Sequence, residues 1–262
     1  MKIAVCIKQV PTREWQPRLR DDKTWIREQD VSYEMNEPDA YALEEALRLR
    51  EKQGGEVVVC SAGPVRVQQV IREALARGAD RALHVEDDRL AAADAFVTAD
   101  ALAAAMADER FDLVLTGLQS DDLGQAQMGV VLAERLGIPH STIIMEVEIA
   151  GQGDGGQGGG GSVRVKRELE GGWFQWIAMP LPALLTIQSG INQLRYATLK
   201  GIMAAKKKEI RTVPMPPGLQ PTQQIVALAM PTKTKQTQMI SGSPAEAARE
   251  LARRLREEAR VL

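Results

Sequence analysis

The run most able to do chemistry is "TGLQSDDLGQAQMG" at 116–129. Gln119, Ser120, Asp122, Gln125, Ala126, Gln127 and Met128 lie there, between a buried-type apolar run and a helical pattern. Free N–H groups at a helix start, helped by hydroxyl and amide side chains, form a cradle for phosphate. Asp122 would suit a ribose hydroxyl or an adenine amino group as an acceptor. The same residues also suit a plain N-cap whose acids complement the helix macrodipole, and their types leave both readings open. "NEPD" at 36–39 opens a second helix, with Asn36 or Asp39 as cap and Pro38 in the first turn; ordinary capping explains each residue taken singly. At "SAGP" (61–64) Ala62 and Gly63 are small enough for a base to approach the backbone closely. Together these three stretches outline a site for one nucleotide.

Machinery for bond making is thin. "KQVPTRE" stands where a dinucleotide fingerprint would follow the first strand. No nucleophile elbow, HExxH or supported carboxylate pair occurs. His84 and His140 are placed at element edges and are not read as catalytic; Trp15, Trp25, Trp173 and Trp176 are read as packing. "GQGDGGQGGGGS" (151–162), with eight glycines in twelve residues, is expected to be a mobile loop, since no GKS or GKT follows it as a P-loop needs. These features favour a carrier or scaffold over a catalyst.

The elements that must position these residues alternate. Apolar, β-branched runs at 2–8, 56–63, 81–86 and 111–117 read as strands covered on both faces. Helical patterns at 36–55, 65–80, 91–109 and 124–139 separate and follow them, several ending at glycine. Such spacing predicts an α/β fold, a doubly wound and mainly parallel sheet with its ligand at the carboxyl ends of the strands. Segments 141–150 and 162–180 read as antiparallel strands, with Gly171-Gly172 as a two-residue hairpin turn, and 181–188 as a strand returning to the main sheet. The expected organisation is a nucleotide-binding domain over 1–210 with a hairpin insertion around 141–180. An extended arm and closing helix over 211–262 would wrap a partner subunit, having little to pack on in their own domain.

Composition narrows the class. The chain has 262 residues and a net charge of −2, so its overall charge does not suit nucleic acid. Its two cysteines, Cys6 and Cys60, sit in apolar runs and support neither a disulfide framework nor a zinc site. With no signal-like start and no apolar window near 18 residues, no membrane insertion and a cytoplasmic location are expected.

"VCIKQVP" (5–11), "MNEPDAYALEEALRLRE" (35–51), "CSAGP" (60–64), "DLVLTGLQSDD" (112–122), "GQAQMGVVLAERLGIP" (124–139) and "RYATLKGIMAAKKK" (195–208) resemble the beta subunit of electron transfer flavoproteins, a family that includes the FixA proteins. The resemblance covers about residues 1–210 in order. It implies an adenine-nucleotide alpha-hydrolase-like fold and an alpha/beta heterodimer sharing one FAD, held chiefly by the alpha subunit. It also implies an AMP kept in the beta subunit as a structural ligand. Carried over position by position, the AMP-lining residues are Cys6, Asn36, Glu37, Pro38, Asp39, Ala62, Gln119, Ser120, Asp122, Gln125, Ala126, Gln127 and Met128. Electrons would arrive from acyl-CoA or other flavoprotein dehydrogenases and leave through an electron transfer flavoprotein–quinone oxidoreductase, making this an electron carrier subunit and not an enzyme. Tyr196 and Leu199 would dock the dehydrogenase, and Lys206, Lys207 and Lys208 would steer an acidic partner.

The chain departs from the family pattern at Leu194, where proline is usual, and at "NEPD", where asparagine and proline are usually adjacent. No flavin-contacting residue is assigned in "TREWQPRLR" (12–20). One alternative is a bifurcating, FixA-type member with a second FAD in place of AMP; "SDDLGQAQMG" does not closely match the pattern of that group. Another is an adenine-nucleotide-binding enzyme or sensor of related fold, but neither an SGGxDS loop nor a G-x2-G-x9-G-(S/T) loop is present.

Overall fold

The computed structural model of the chain describes residues 1–150, 161–232 and 237–261; most of the glycine-rich 151–162 run therefore lies outside the described residues. Five apolar runs form the centre of the sheet: β1 (Lys2–Cys6), β4 (Glu56–Gly63), β5 (Arg81–Glu86), β6 (Leu113–Gly117) and β10 (Ala183–Ile187). Strands buried on both faces need apolar residues at every position, and "LVLTG" and "ALLTI" are buried throughout. Alternation then divides the side chains. Ile3 and Val5 join a cluster with Leu43, Leu47, Ile71 and Leu75, while Ala4 and Cys6 join one with Leu102, Met106, Leu132 and Ala133.

The first cluster seats α1 (Glu37–Gln53) and α2 (Gln68–Arg77), and the second seats α3 (Ala95–Met106) and α4 (Met128–Leu136). The sheet is thus covered by helices on both faces. Leu43 and Leu47 are fully buried. Cutting either to alanine would cost about 2–5 kcal/mol.

Nine strands complete the sheet when β7 (His140–Ala150), β8 (Ser162–Glu168), β9 (Phe174–Pro180) and β11 (Ile210–Val213) are added, in the order β11-β5-β4-β1-β6-β10-β7-β8-β9. From β11 to β7 every pairing is parallel; β7-β8 and β8-β9 are antiparallel. Strand order reverses between β1 and β6, since the chain leaves β1 for β4 and β5 on one side and later fills β6 and β10 on the other. That reversal opens a crevice at the carboxyl ends of the two strands.

Several expectations are corrected. The 171–172 glycines do not form a two-residue turn: the Leu169 N–H donates to the Trp173 carbonyl at 2.8 Å across a short turn over Glu170–Gly172. The helix expected from 124 starts at Met128. His84 is no edge residue but a fully buried member of β5. Trp173 and Trp176 are exposed, so they do not pack a core. A small second sheet, β2 (Gln9–Pro11) against β3 (Tyr33–Met35), had not been anticipated.

Residues 210–213 extend the main sheet as β11, so the sheet unit runs past 210. Met215 and Leu219 then pack beside Val85, Leu90 and Val97. The first part of the arm therefore packs on its own domain, contrary to expectation. Beyond it, α6 (Pro244–Glu257) has no buried residue. Both cysteines are buried free thiols. Among the described residues no helix is long and apolar enough to cross a membrane.

Candidate functional site

Asp39 lies at the centre of the crevice. Its Oδ2 accepts from the Lys8 N–H at 2.7 Å, just past β1, and its Oδ1 from the Gly117 N–H at 2.9 Å, at the end of β6. One carboxylate in the first turn of α1 therefore ties together the tips of the two strands that flank the reversal. Burial pushes its carboxyl up to about 7, against the N–H donors that favour the charged form. A side chain at Gly117 would overlap the Asp39 carboxylate and Pro38, so glycine is required there.

Asn36 precedes α1, but its side chain makes no capping hydrogen bond. It reaches across to the 118–127 loop instead. Its Nδ2 donates to the Gln119 carbonyl at 2.9 Å, and its Oδ1 accepts from the Asp121 N–H at 2.9 Å. The two stretches singled out in the sequence are thus fastened to each other. Asp122 accepts from the Lys8 ammonium at 2.7 and 2.8 Å, so both its oxygens already have a cationic partner.

Around these groups opens a cavity of about 1080 Å³. It is lined by Cys6, Asn36, Asp39, Ala62, Gln119, Ser120, Asp122, Gln125, Ala126, Gln127 and Met128. Glu37 and Pro38 do not line it: Glu37 faces outward to pair with Arg13, and Pro38 packs behind Gly117. Burial raises the Cys6 thiol well above its usual range and pushes Cys60 up to about 12, so both stay protonated and inert.

Other cavity residues escaped the sequence reading. Lys8 and Gly117 line the floor, and Trp25, Arg66, Asp94 and the 221–225 segment line the walls. Lys8 carried a signal, as a lone cation directly after a buried strand. Gly117 fell inside the 116–129 run, Arg66 and Asp94 inside helical patterns that gave no sign of facing a cavity, and Trp25 and 221–225 in segments without periodicity.

A second surface forms around α5 (Leu199–Ala205). Thr198 caps it, its hydroxyl oxygen accepting from the Gly201 N–H at 3.1 Å. Tyr196 and Leu199 are 88% and 77% exposed, and Ile202 and Met203 are exposed beside them. The segment is anchored from behind. Arg195 grips the buried Glu44 carboxylate at 2.7 and 3.0 Å and also pairs with Glu51, while Asn192 donates to Glu45 at 3.0 Å.

Lys206 and Lys207 are exposed, but Lys208 is not free to steer a partner. Its ammonium donates to the carbonyls of Leu75 and Ala79 at the end of α2, and burial lowers its pKa. Arg72 completes the fastening by donating to the carbonyls of Ala205 and Lys208, both at 2.7 Å.

Comparison with known proteins places the chain in a family. The model of the electron transfer flavoprotein domain matches residues 23–217. An electron transfer flavoprotein subunit beta of Methylophilus methylotrophus is 39% identical over 215 residues, covering 81% of this chain and 79% of that protein. The subunit beta of Thermoanaerobacterium thermosaccharolyticum is 38% identical over 269 residues, covering 97% and 98%, and that of Bacillus subtilis 34% over 245 residues, covering 90% and 91%. The chain therefore belongs to the electron transfer flavoprotein family, as a beta subunit.

Proposed function

We propose that the cavity holds one AMP as a ligand that is never consumed, and that the chain forms a cytoplasmic electron carrier with an alpha subunit. The observation that carries this reading is the convergence of β1, α1, β4 and the 118–128 segment on one cavity at the strand reversal. The residues present fit an adenylate. Ala62 leaves room for a flat base, Gln125 and Gln127 offer amide donors and acceptors, Ser120 offers a hydroxyl, and Lys8 and Arg66 bring positive charge for a phosphate. Asn36 and Asp39 hold the walls in place, their own hydrogen bonds being spent on the protein.

FAD, held chiefly by the alpha subunit, would supply the redox chemistry. This chain would contribute docking. Tyr196 and Leu199 would meet an acyl-CoA or other flavoprotein dehydrogenase, and Lys206 and Lys207 would draw in an acidic surface. An electron transfer flavoprotein–quinone oxidoreductase would receive the electrons. The chain is on this reading a carrier subunit, whose nucleotide-binding unit takes in the arm as far as residue 225, the remainder reaching the partner.

The cavity continues past the expected lining to Arg20, Trp25, Arg66 and Arg89. That extra room favours, as a second reading, a longer ligand of the same class: a second FAD in the bifurcating manner. Co-production with an alpha-type subunit, followed by mass spectrometry of ligands released on denaturation, decides between them. One FAD and one AMP per heterodimer is the expected result. Two FAD would establish the second reading, and FAD without any adenylate would refute both.

A further inference from the structure

We infer that Asp94 is a positioning residue of the cavity: one carboxylate oxygen caps a helix while the other fastens the C-terminal arm across the cavity as its outer wall. This rests on the reading of the cavity as an adenylate site. Asp94 directly precedes α3, and its Oδ1 accepts from the Val97 N–H at 2.8 Å. Its Oδ2 accepts from the Thr222 N–H at 2.5 Å, the Thr222 hydroxyl at 2.9 Å and the Gln223 N–H at 2.8 Å. Burial pushes the Asp94 carboxyl up, but the donors from Val97, Gln223 and Thr222 outweigh it and hold the group below its usual range.

The bonded residues are themselves cavity wall: Pro221 through Ile225 all line it. The arm is also pinned on either side of this crossing. Upstream, Met215 and Leu219 pack beside Val85 and Leu90. Downstream, the Leu228 N–H donates to the Lys23 carbonyl at 2.8 Å, within the 12–32 segment that supplies Trp25 to the opposite wall. Between the two pins, Thr222 and Gln223 are exposed, and Ile225, 36% exposed, adds apolar contact. At Thr222 and Gln223 the crossing is held by the Asp94 hydrogen bonds. A ligand behind it leaves when those bonds break.

Because the two oxygens have separate duties, one substitution separates them. Asp94→Ser keeps a hydroxyl that caps α3 but lacks the second oxygen that holds the arm. The full-length chain is loaded with radiolabelled AMP, and release into excess unlabelled AMP is timed. Asp94→Ser should speed release by about tenfold or more while the melting temperature without nucleotide stays close to wild type, since charge-assisted hydrogen bonds are the stronger kind. Thr222→Val, which removes one of the three donors, should give a smaller acceleration. In hydrogen exchange, the amides of Thr222 and Gln223 should gain protection when AMP is added to wild type and not to Asp94→Ser.

Equal release from wild type and Asp94→Ser, with AMP still bound, overturns the role of Asp94 and leaves the adenylate reading standing. Failure of wild type to retain any AMP overturns the adenylate reading and this inference with it.

Discussion

At the scale of single residues, the groups that look most chemical in the sequence are mostly occupied with structure. Asp39 joins two strand tips, Asn36 holds a loop, and Asp122 is paired with Lys8. Their types and approximate place were legible, because acids and amides cluster after buried strands. Their partners were not, since Asn36 and Gln119 are 83 residues apart in the chain. His84 shows the same limit. Its Nε2 lies 3.0 Å from the carbonyl of Gly63 at the end of the neighbouring β4, and burial lowers its pKa despite that bond and nearby Glu86. The folded chain takes up this proton less readily than the unfolded chain. The stability it contributes is thus full above the unfolded value of about 6.5 and is lost as pH falls from there through the lowered folded value. Between about pH 7.5 and about pH 5.5 the urea midpoint of wild type should fall further than that of His84→Gln. Parallel falls would show that the ring plays no part.

At the scale of elements, α5 separates two kinds of importance. Gly201 packs so closely on α2 that a side chain would overlap the Ala76 carbonyl, whereas Leu199 points away from the chain and is exposed. Gly201→Val should lower stability by about 1–3 kcal/mol through overpacking. Leu199→Ala should change it by less than about 0.5 kcal/mol, as an exposed substitution does. Only Leu199→Ala should slow electron delivery from a dehydrogenase at unchanged stability and flavin content, measured by stopped-flow reduction of the heterodimer. Equal reduction rates would remove Leu199 from the docking surface.

The parallel strands were readable because burial on both faces forces continuous apolar runs. Helix starts were less so: Met128 begins α4 only after Ala126 adopts a left-handed conformation (φ 54°), and nothing in "GQAQM" announces that. The β2-β3 pair is only three residues a side, too short for periodicity to register.

At the scale of the whole molecule, burial is concentrated in the sheet and its four covering helices, while α6 keeps an amphipathic sequence with no buried residue. Its beginning is well specified: the Glu246 carboxylate accepts from both the N–H and the hydroxyl of Ser243, at 2.8 and 2.7 Å. Deleting residues 237–262 should therefore move the melting temperature of the isolated chain by less than about 2 °C. On the proposed reading, the same deletion should abolish co-purification with an alpha-type subunit. A large drop in melting temperature would show that the tail supports its own domain, and intact co-purification would show that it does not hold the partner.

The grip of Arg195 on Glu44 and Glu51 has a kinetic consequence. The segment bearing Tyr196 and Leu199 is set in shape while the chain folds, so no ordering step remains for the moment of encounter. On the proposed reading, a dehydrogenase docking there meets a rigid knob, and a brief collision suffices, as a shuttle that changes companions at each delivery would need.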